Sequence, residues 1–154
     1  MRMAEAHTKV YAEEDRMIPK ILIRAMLALV LATLAIAPGQ TVLDAGCGTG
    51  AFAVEAARRG AEVVAIDVAG SLVEIARERT PEELRANISY LVGDMLSDDL
   101  GEFDRVVAMD SLIHYAPEQM VAVLARLAAD TSGSIVFTFA PATTALLGSY
   151  CTPK

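Results

Sequence analysis

The stretch VLDAGCGTGAF, residues 42–52, constrains what this chain can fold into more than any other part of it. A short apolar run ends at Asp44, and three glycines follow at alternate positions, Gly46, Gly48 and Gly50. Glycine adopts left-handed backbone conformations and lets another molecule approach the main chain closely. In parallel α/β sheets, ligands bind outside the carboxyl ends of the strands, often over such a turn. We therefore expect a ligand of the nucleoside type above these glycines.

The rest of the chain alternates predicted strands and helices. Short apolar runs predict strands at Thr41 to Asp44, Glu62 to Asp67, Ile88 to Val92, Phe103 to Met109 and Ser134 to Phe139. Helices are predicted within residues 18–37 and from Ala51 to Arg59. A third helix is predicted from a capping box at Ser71 and Glu74 to Arg79. A fourth begins at Pro117, and one of its faces is made of Met120, Val121, Leu124, Leu127 and Ala128. This alternation predicts an α/β fold with right-handed crossovers and a parallel sheet covered on both faces.

Composition excludes some classes of function. The chain has 154 residues, enough for one domain over residues 1–154, and a net charge of −7 without a basic tract, so no electrostatic footprint for nucleic acid is present. Its two cysteines, Cys47 and Cys151, make no disulfide framework, which favours a reducing cytoplasm. No residues have metal-ligand spacing, so any metal is expected to belong to the substrate.

Residues 18–39 are strongly apolar and could be mistaken for a signal or membrane segment. The run free of charge extends only from Ala25 to Ala37, which is too short to cross a bilayer. It follows a polar N-terminal arm, residues 1–17, that contains acidic residues, unlike the start of a signal peptide. We interpret the segment as a helix packed against the sheet and leave contact with a membrane surface open.

Two nucleoside ligands compete for the glycine turn. Gly46-x-Gly48-x-x-Ala51, with Asp67 21 residues after Gly46, satisfies the dinucleotide fingerprint. Asp44, however, lies where a pyrophosphate would pass, and a carboxylate there repels phosphate and attracts a cation. S-adenosylmethionine carries an ammonium and a sulfonium group and no phosphate.

A second acidic position also favours S-adenosylmethionine. Asp94 follows the third predicted strand, where it could accept a hydrogen bond from the adenine amine while Met95 packs on the ring. VLDAGCGTG, AIDVAG and VGDM, within residues 41–95, resemble the motifs of class I S-adenosylmethionine-dependent methyltransferases in order and spacing. The resemblance implies a Rossmann-like sheet of about five strands in the order 3-2-1-4-5. It also implies that the three glycines make room for the methionine moiety near Asp44, and that Asp67 binds the ribose hydroxyls.

A narrower resemblance covers roughly residues 38–142. GDML, FDRVVAMDSLIHY and GSIVFTFAP are similar to magnesium-protoporphyrin O-methyltransferases of chlorophyll and bacteriochlorophyll synthesis. The resemblance implies methyl transfer to a propionate carboxylate of magnesium protoporphyrin IX, and it names a membrane surface and the magnesium chelatase as candidate partners. The alternatives are a methylase for another small molecule, such as a quinone or a fatty acid, and a truncated cofactor-binding module without activity. The aromatic-flanked proline pair of DNA adenine methylases is not present.

The candidates for acceptor chemistry follow the fourth strand. His114 could hold the propionate by a hydrogen bond or approach the substrate magnesium, and Tyr115 is the second catalytic candidate. Their alternatives are a histidine that satisfies loop backbone and an aromatic that only packs. Asp110 could cap the loop or orient His114. On the N-terminal arm, Tyr11 could lie over the cofactor, and His7 is expected to be exposed without a function.

The sequence departs from the methyltransferase pattern at its C-terminus. Enzymes of this class normally have seven strands, the last two forming a hairpin beside the fifth, and the sequence given stops at Lys154 shortly after the fifth predicted strand. SIVFTF would then be an exposed apolar sheet edge, which is a surface for self-association. The cofactor motifs are complete, whereas the acceptor site is expected to be incomplete.

Overall fold

The computed structural model describes residues 20–97 and 100–138, except for the side chains of Lys20, Ile21 and His114. This part of the chain consists of parallel strands joined by helices. The candidates His7 and Tyr11, the second cysteine Cys151 and the predicted strand end at Phe139 lie outside the described residues. The strands are β1 Thr41–Ala45, β2 Glu62–Asp67, β3 Ile88–Val92, β4 Phe103–Ala108 and β5 Thr131–Phe137. The helices are α1 Lys20–Leu34, α2 Ala51–Arg58, α3 Gly70–Arg79 and α4 Pro117–Ala129, with 3-10 turns at Glu82–Asn87 and Leu112–His114.

The sheet of the described residues has the order β3-β2-β1-β4-β5. Every neighbouring pair is parallel, and at the centre Asp44 of β1 lies opposite Ala65 of β2 and Val107 of β4. This arrangement confirms the predicted Rossmann-like α/β class and strand order. Chain order reverses beside β1, so the glycine turn after β1 lies at the switch point where such sheets bind ligands.

Both faces of the sheet are buried. Successive side chains of each strand point to opposite faces, so the strands contribute to two separate cores. On one face α1, α2 and α3 contribute to a core that includes Val30, Leu34, Val42, Phe52, Ala56, Val73 and Val107. On the other face lies a core that includes Leu43, Ile66, Val106, Leu112, Val123 and Leu127. Within the described ranges, no helix combines the length and apolar character needed to cross a membrane.

The capping box predicted at Ser71 is wrong. The helix begins at Gly70, and its N-cap is Ala69, which makes no side-chain capping bond. The Ala69 backbone N–H is instead satisfied by the Asp67 carboxylate, at 2.8 Å. The strand end therefore supplies the acceptor for the N-cap N–H, a role that the predicted capping box gave to the Glu74 side chain.

Two further details differ from the predictions. In α4 the buried residues are Val123 and Leu127, four positions apart, whereas Val121 is 69% exposed and Ala128 is exposed. Leu127 is buried as predicted, and Met120 and Leu124 pack against the same core, so the predicted face is correct at these positions and wrong at Val121 and Ala128, while Val123 was not predicted. β5 begins at Thr131, three residues before the predicted Ser134, because Phe103 of β4 already pairs with Thr131 across an irregular register.

Candidate functional site

The glycine turn is anchored to the neighbouring strand at the carboxyl edge of the sheet. The backbone N–H groups of Gly46 and Cys47 both donate to the carbonyl oxygen of Ile66 in β2, at 2.9 and 3.0 Å. Gly50 N–H donates back to the Cys47 carbonyl at 2.9 Å, which closes the turn before α2. The main chain is thereby folded tightly over the ends of β1 and β2.

Each of the three glycines has positive φ, but their surroundings differ. A Cβ atom at Gly46, with φ +85°, would collide with the side chain of Ser111 in the segment after β4. A Cβ at Gly50, with φ +79°, would lie 2.6 Å from the Tyr90 hydroxyl oxygen. A Cβ at Gly48, with φ +51°, would meet no protein atom within 4 Å. Gly46 and Gly50 are therefore required by the protein's own packing, whereas Gly48 borders open space.

Asp67 joins the glycine turn to the start of α3. Its Oδ2 accepts a hydrogen bond from Gly48 N–H at 2.9 Å, and its Oδ1 accepts one from Ala69 N–H at 2.8 Å. The residue is partly exposed, and a carboxylate oxygen can accept more than one hydrogen bond. Asp67 can therefore support the turn and still accept hydrogen bonds from a ligand.

Asp44 precedes the glycine turn in β1 and is buried, with only 2% of its surface exposed. The Ala53 backbone in the first turn of α2 hydrogen-bonds to its carboxyl group, while Oδ2 has no partner among the described residues. Burial, and to a smaller extent the charge of Asp67, raise the pKa of Asp44 to about 7, against the opposing effect of the Ala53 hydrogen bond. In this conformation Asp44 can act on a ligand through its charge and not by direct contact.

Tyr90 and Thr80 support the turn from below, and the sequence did not single them out. The Tyr90 hydroxyl lies 3.0 Å from Thr80 Oγ1, which donates to the Ala76 carbonyl at 2.7 Å. This chain of contacts fixes the ring that packs on Gly50. No local sequence signal marks the two residues, because the contact joins β3 to the end of α3.

The acidic position after β3 is open to solvent. Asp94 is exposed, and its Oδ1 accepts the Leu96 N–H at 2.9 Å. Met95 is partly buried against the second core, as is Tyr115. Burial, followed by the charge of Asp94, raises the pKa of the Tyr115 hydroxyl, which indicates that the segments after β3 and β4 lie near each other.

The segment after β4 carries the acceptor candidates. Leu112 is fully buried in the second core, and Tyr115 N–H donates to the Leu112 carbonyl at 3.1 Å. His114 ends the short 3-10 turn, and its side chain is outside what the structure describes. Asp110, with φ +55°, exchanges hydrogen bonds with Thr138 and not with a described histidine atom.

The electrostatic character of this edge follows from its carboxyl groups. Asp44, Asp67 and Asp94 lie at or just after the carboxyl ends of three neighbouring strands, β1, β2 and β3. A concentration of carboxylates favours a cationic ligand and disfavours one that bears phosphate. Among residues 20–97 and 100–138, no group of three histidine, cysteine, aspartate or glutamate side chains could hold a metal ion.

Comparison with known proteins gives a consistent picture. A family model described as a methyltransferase domain matches residues 42–130, from β1 to the end of α4. The magnesium-protoporphyrin O-methyltransferase of Rhodobacter capsulatus is 53% identical over 109 residues, which cover 71% of this chain and 49% of that protein. The ubiquinone biosynthesis O-methyltransferase of Acinetobacter baylyi is 38% identical over 79 residues, 49% of this chain and 33% of that protein.

Solved structures agree in fold. A crystal structure of magnesium protoporphyrin IX methyltransferase from Synechocystis with bound SAH is 30% identical and has a TM-score of 0.69, covering 83% of this chain and 58% of that one. The chain spans about half the length of the bacterial relative and about a third of the chloroplast enzyme of Arabidopsis thaliana. The similarity therefore includes the glycine turn and the sheet, and only part of each relative.

Proposed function

The chain belongs to the methyltransferase domain family, and from this premise we propose that it binds S-adenosylmethionine over the glycine turn and methylates a propionate carboxylate of magnesium protoporphyrin IX. The observation that carries the proposal is the pairing of Gly48 with Asp67. An unobstructed glycine borders open space, and a partly exposed carboxylate lies beside it, 2.9 Å from its N–H. The 53% identity to a magnesium-protoporphyrin O-methyltransferase supports the choice of acceptor.

The residues of the site suit this cofactor. Asp44 has a buried oxygen atom without a partner among the described residues, and a positive charge above the turn would favour its ionised form. The carboxylates of this edge would repel the pyrophosphate of a dinucleotide. When bound, S-adenosylmethionine supplies an electrophilic methyl group, and S-adenosylhomocysteine remains after transfer.

We assign roles along the edge in the order of the strands. Gly48 leaves room for the methionine moiety, while Gly46 and Gly50 keep the turn in shape through Ser111 and Tyr90. Asp67 accepts hydrogen bonds from the ribose hydroxyls. Asp94 accepts one from the adenine amine, beside the partly buried side chain of Met95.

The chain needs no strong base for this reaction. A carboxylic acid titrates near pH 4, so a propionate is already ionised at neutral pH and can attack the methyl carbon directly. The protein contributes by aligning the reacting groups and by removing water from the carboxylate. His114 is proposed to hold the propionate by a hydrogen bond, and Tyr115, partly buried after β4, is proposed to line the acceptor side.

Titration calorimetry with separate ligands tests the proposal. We expect the protein to bind S-adenosylhomocysteine and magnesium protoporphyrin, each without the other, and to bind NADH much more weakly. Preference for NADH would overturn the cofactor assignment. Binding of S-adenosylhomocysteine without the porphyrin would support a cofactor-binding module, and the porphyrin assignment would fall.

A quinone precursor is the second acceptor to be tested, because one relative is a ubiquinone biosynthesis O-methyltransferase. A phenol of a quinone precursor titrates near pH 10, so its methylation would call for a base that the carboxylate does not need. Transfer of a labelled methyl group to magnesium protoporphyrin and to a demethylated quinone precursor should be compared at equal concentration. We expect the label in the porphyrin ester, which is cleaved by alkali, and label in an alkali-stable ether would favour the quinone.

A further inference from the structure

The segment after β4, residues 109–116, is held from two sides at the carboxyl edge of the sheet. On one side the Ser111 side chain packs directly on Gly46 of the glycine turn. On the other side Asp110 is bonded to Thr138, which follows β5. Leu112 fixes the middle of the segment in the second core. The segment therefore bridges the glycine turn and the end of the fifth strand.

Asp110 and Thr138 form a reciprocal pair. Asp110 N–H donates to Thr138 Oγ1 at 2.7 Å, and the same hydroxyl donates to Asp110 Oδ1 at 3.0 Å. Thr138 is itself fixed by its N–H, which donates to the Ala108 carbonyl at 3.1 Å. A single hydroxyl thus satisfies both the backbone and the side chain of Asp110.

The conformation that this pair holds is costly. Asp110 has φ +55°, an uncommon backbone conformation for a residue with a side chain, which is strained unless its surroundings stabilise it. Ser111 Oγ is buried without a hydrogen-bond partner among the described residues, which is also unfavourable. Both features disfavour this position of the segment. The two hydrogen bonds between Thr138 and Asp110 offset their free-energy cost.

We propose that Asp110 and Thr138 are a positioning pair that holds residues 109–116 against Gly46, and so fixes Tyr115 and the backbone of His114 relative to the glycine turn. The inference rests on the proposed function, because it assigns the pair to the alignment of acceptor and cofactor. Neither residue needs to touch the reacting atoms. The pair also explains how the end of β5, on the far side of β4, can influence the site.

The matched variants are Thr138→Val, which keeps the shape of the side chain and removes the hydroxyl, and Thr138→Ser, which keeps the hydroxyl. Four quantities should be measured on the folded full chain. They are hydrogen exchange of the amides of residues 109–116, affinity for S-adenosylhomocysteine, affinity for magnesium protoporphyrin, and single-turnover methyl transfer to it. Thr138→Val should exchange faster in this segment. Misplacement by about 1 Å can cost on the order of a hundredfold in rate, so we expect transfer to fall about ten- to a hundredfold. Affinity for S-adenosylhomocysteine should stay nearly constant, and Thr138→Ser should behave like the wild type.

Each other outcome has a definite meaning. Wild-type exchange in Thr138→Val, or an equal defect in Thr138→Ser, would overturn the proposal, as would a parallel loss of S-adenosylhomocysteine affinity. If the wild type binds no S-adenosylhomocysteine, the proposed function fails. The positioning role then fails with it, even if the exchange data show that Asp110 and Thr138 hold the segment in place. If the wild type binds S-adenosylhomocysteine but transfers no methyl group, unchanged porphyrin affinity in Thr138→Val overturns the positioning role.

A second pair of variants covers the case in which Thr138→Val does not fold. Asp110→Gly removes the carboxylate and adopts positive φ without strain, whereas Asp110→Asn keeps the Oδ1 acceptor and also tolerates this conformation. We expect Asp110→Gly to reproduce the faster exchange and the loss of transfer, and Asp110→Asn to stay close to the wild type. The reverse order would overturn the proposal.

Discussion

Single residues of the glycine turn differ in what they contact, and the effects of substitution should differ accordingly. Gly46 and Gly50 touch Ser111 and Tyr90, so a side chain at either position must disturb the protein itself. A Cβ atom at Gly48 would meet no protein atom within 4 Å, and only the φ of +51° opposes a side chain there. Asparagine tolerates this left-handed conformation better than branched residues do. Gly48 is therefore the position at which ligand space can be tested apart from folding.

Gly48→Asn should fold and lose affinity for S-adenosylhomocysteine, because the new side chain would occupy the proposed ligand space. Gly48→Val should lose affinity as well, and it should also be less stable because valine is strained at positive φ. Gly39 is a matched control: it has φ +81°, a Cβ there would meet no atom within 4 Å, and it precedes β1 at the opposite edge. Calorimetry and thermal unfolding measure the two effects. Equal affinities for Gly48→Asn and Gly39→Asn would place the ligand elsewhere.

Asp67→Ala should weaken the binding of S-adenosylhomocysteine about tenfold or more, since charge-assisted hydrogen bonds contribute roughly 1.5–3 kcal/mol. The substitution also frees the N–H groups of Gly48 and Ala69, so thermal unfolding must be recorded with the affinity. Asp104→Ala is the control, because Asp104 accepts the Thr41 N–H at 2.8 Å at the start of β1, away from the turn. An unchanged dissociation constant in folded Asp67→Ala would remove Asp67 from the site.

Asp44 should make stability depend on pH. Its pKa is raised from 3.8 to about 7 in the folded chain, so between about pH 4 and 7 the folded state keeps a proton that the unfolded state has released. The free energy of unfolding should therefore fall as pH rises through this window, by a few kcal/mol at most, and level off above it. Urea unfolding of the wild type and Asp44→Asn at pH 5 and pH 8 measures the difference. The asparagine variant should lose this part of the pH dependence; identical slopes would mean that Asp44 is ionised throughout.

At the scale of elements, the strand ends were predictable and the contacts between segments were not. Glu62–Asp67 and Ile88–Val92 have the predicted bounds, because apolar runs in a covered parallel sheet are bounded by polar residues. The Asp67–Ala69 bond replaced the predicted capping box, and the Asp110–Thr138 pair had no sequence signal. Asp110 and Thr138 are 28 residues apart in the sequence, so no local pattern contains their contact. The Asp67–Ala69 bond spans only two residues and is a local turn contact of a kind that aspartate commonly makes.

The element after β4 gives a prediction about His114. If its side chain holds the propionate, His114→Gln should reduce single-turnover methyl transfer sharply, on the order of a hundredfold for a misplacement of about 1 Å, with nearly constant affinity for S-adenosylhomocysteine. Glutamine can still hydrogen-bond to backbone, so it separates acceptor binding from loop support. Tyr115→Phe is a useful comparison, because it keeps the partly buried ring and removes only the hydroxyl. Retained transfer in His114→Gln would assign the acceptor contact to Tyr115 or to residues outside the described range.

At the scale of the whole molecule, the strand order determines which surfaces remain open. Chain alternation and the resemblance predicted both the parallel sheet and the order β3-β2-β1-β4-β5, because crossovers of one hand leave few ways to arrange five strands. Within the described residues β5 pairs only with β4, and its other backbone edge has no strand beside it. Ile135 and Val136 pack against opposite cores, and Phe137 is 37% exposed at the strand end. The predicted apolar edge is therefore present in the part of the chain that is described.

An open strand edge of this kind favours pairing with a second chain, so we expect dimers or larger species in solution. Lysine on an edge strand opposes such pairing, and Ser134→Lys on β5 should shift the protein towards monomer. Ser89→Lys is the matched control, because Ser89 is an exposed serine of β3, which forms the opposite edge of the sheet. Sedimentation equilibrium over a broad concentration range measures the association constant of the three proteins. Association that is weakened by Ser134→Lys and kept in Ser89→Lys would assign the contact to β5. A wild type that remains monomeric throughout, or an equal response to both substitutions, would mean that β5 does not mediate self-association.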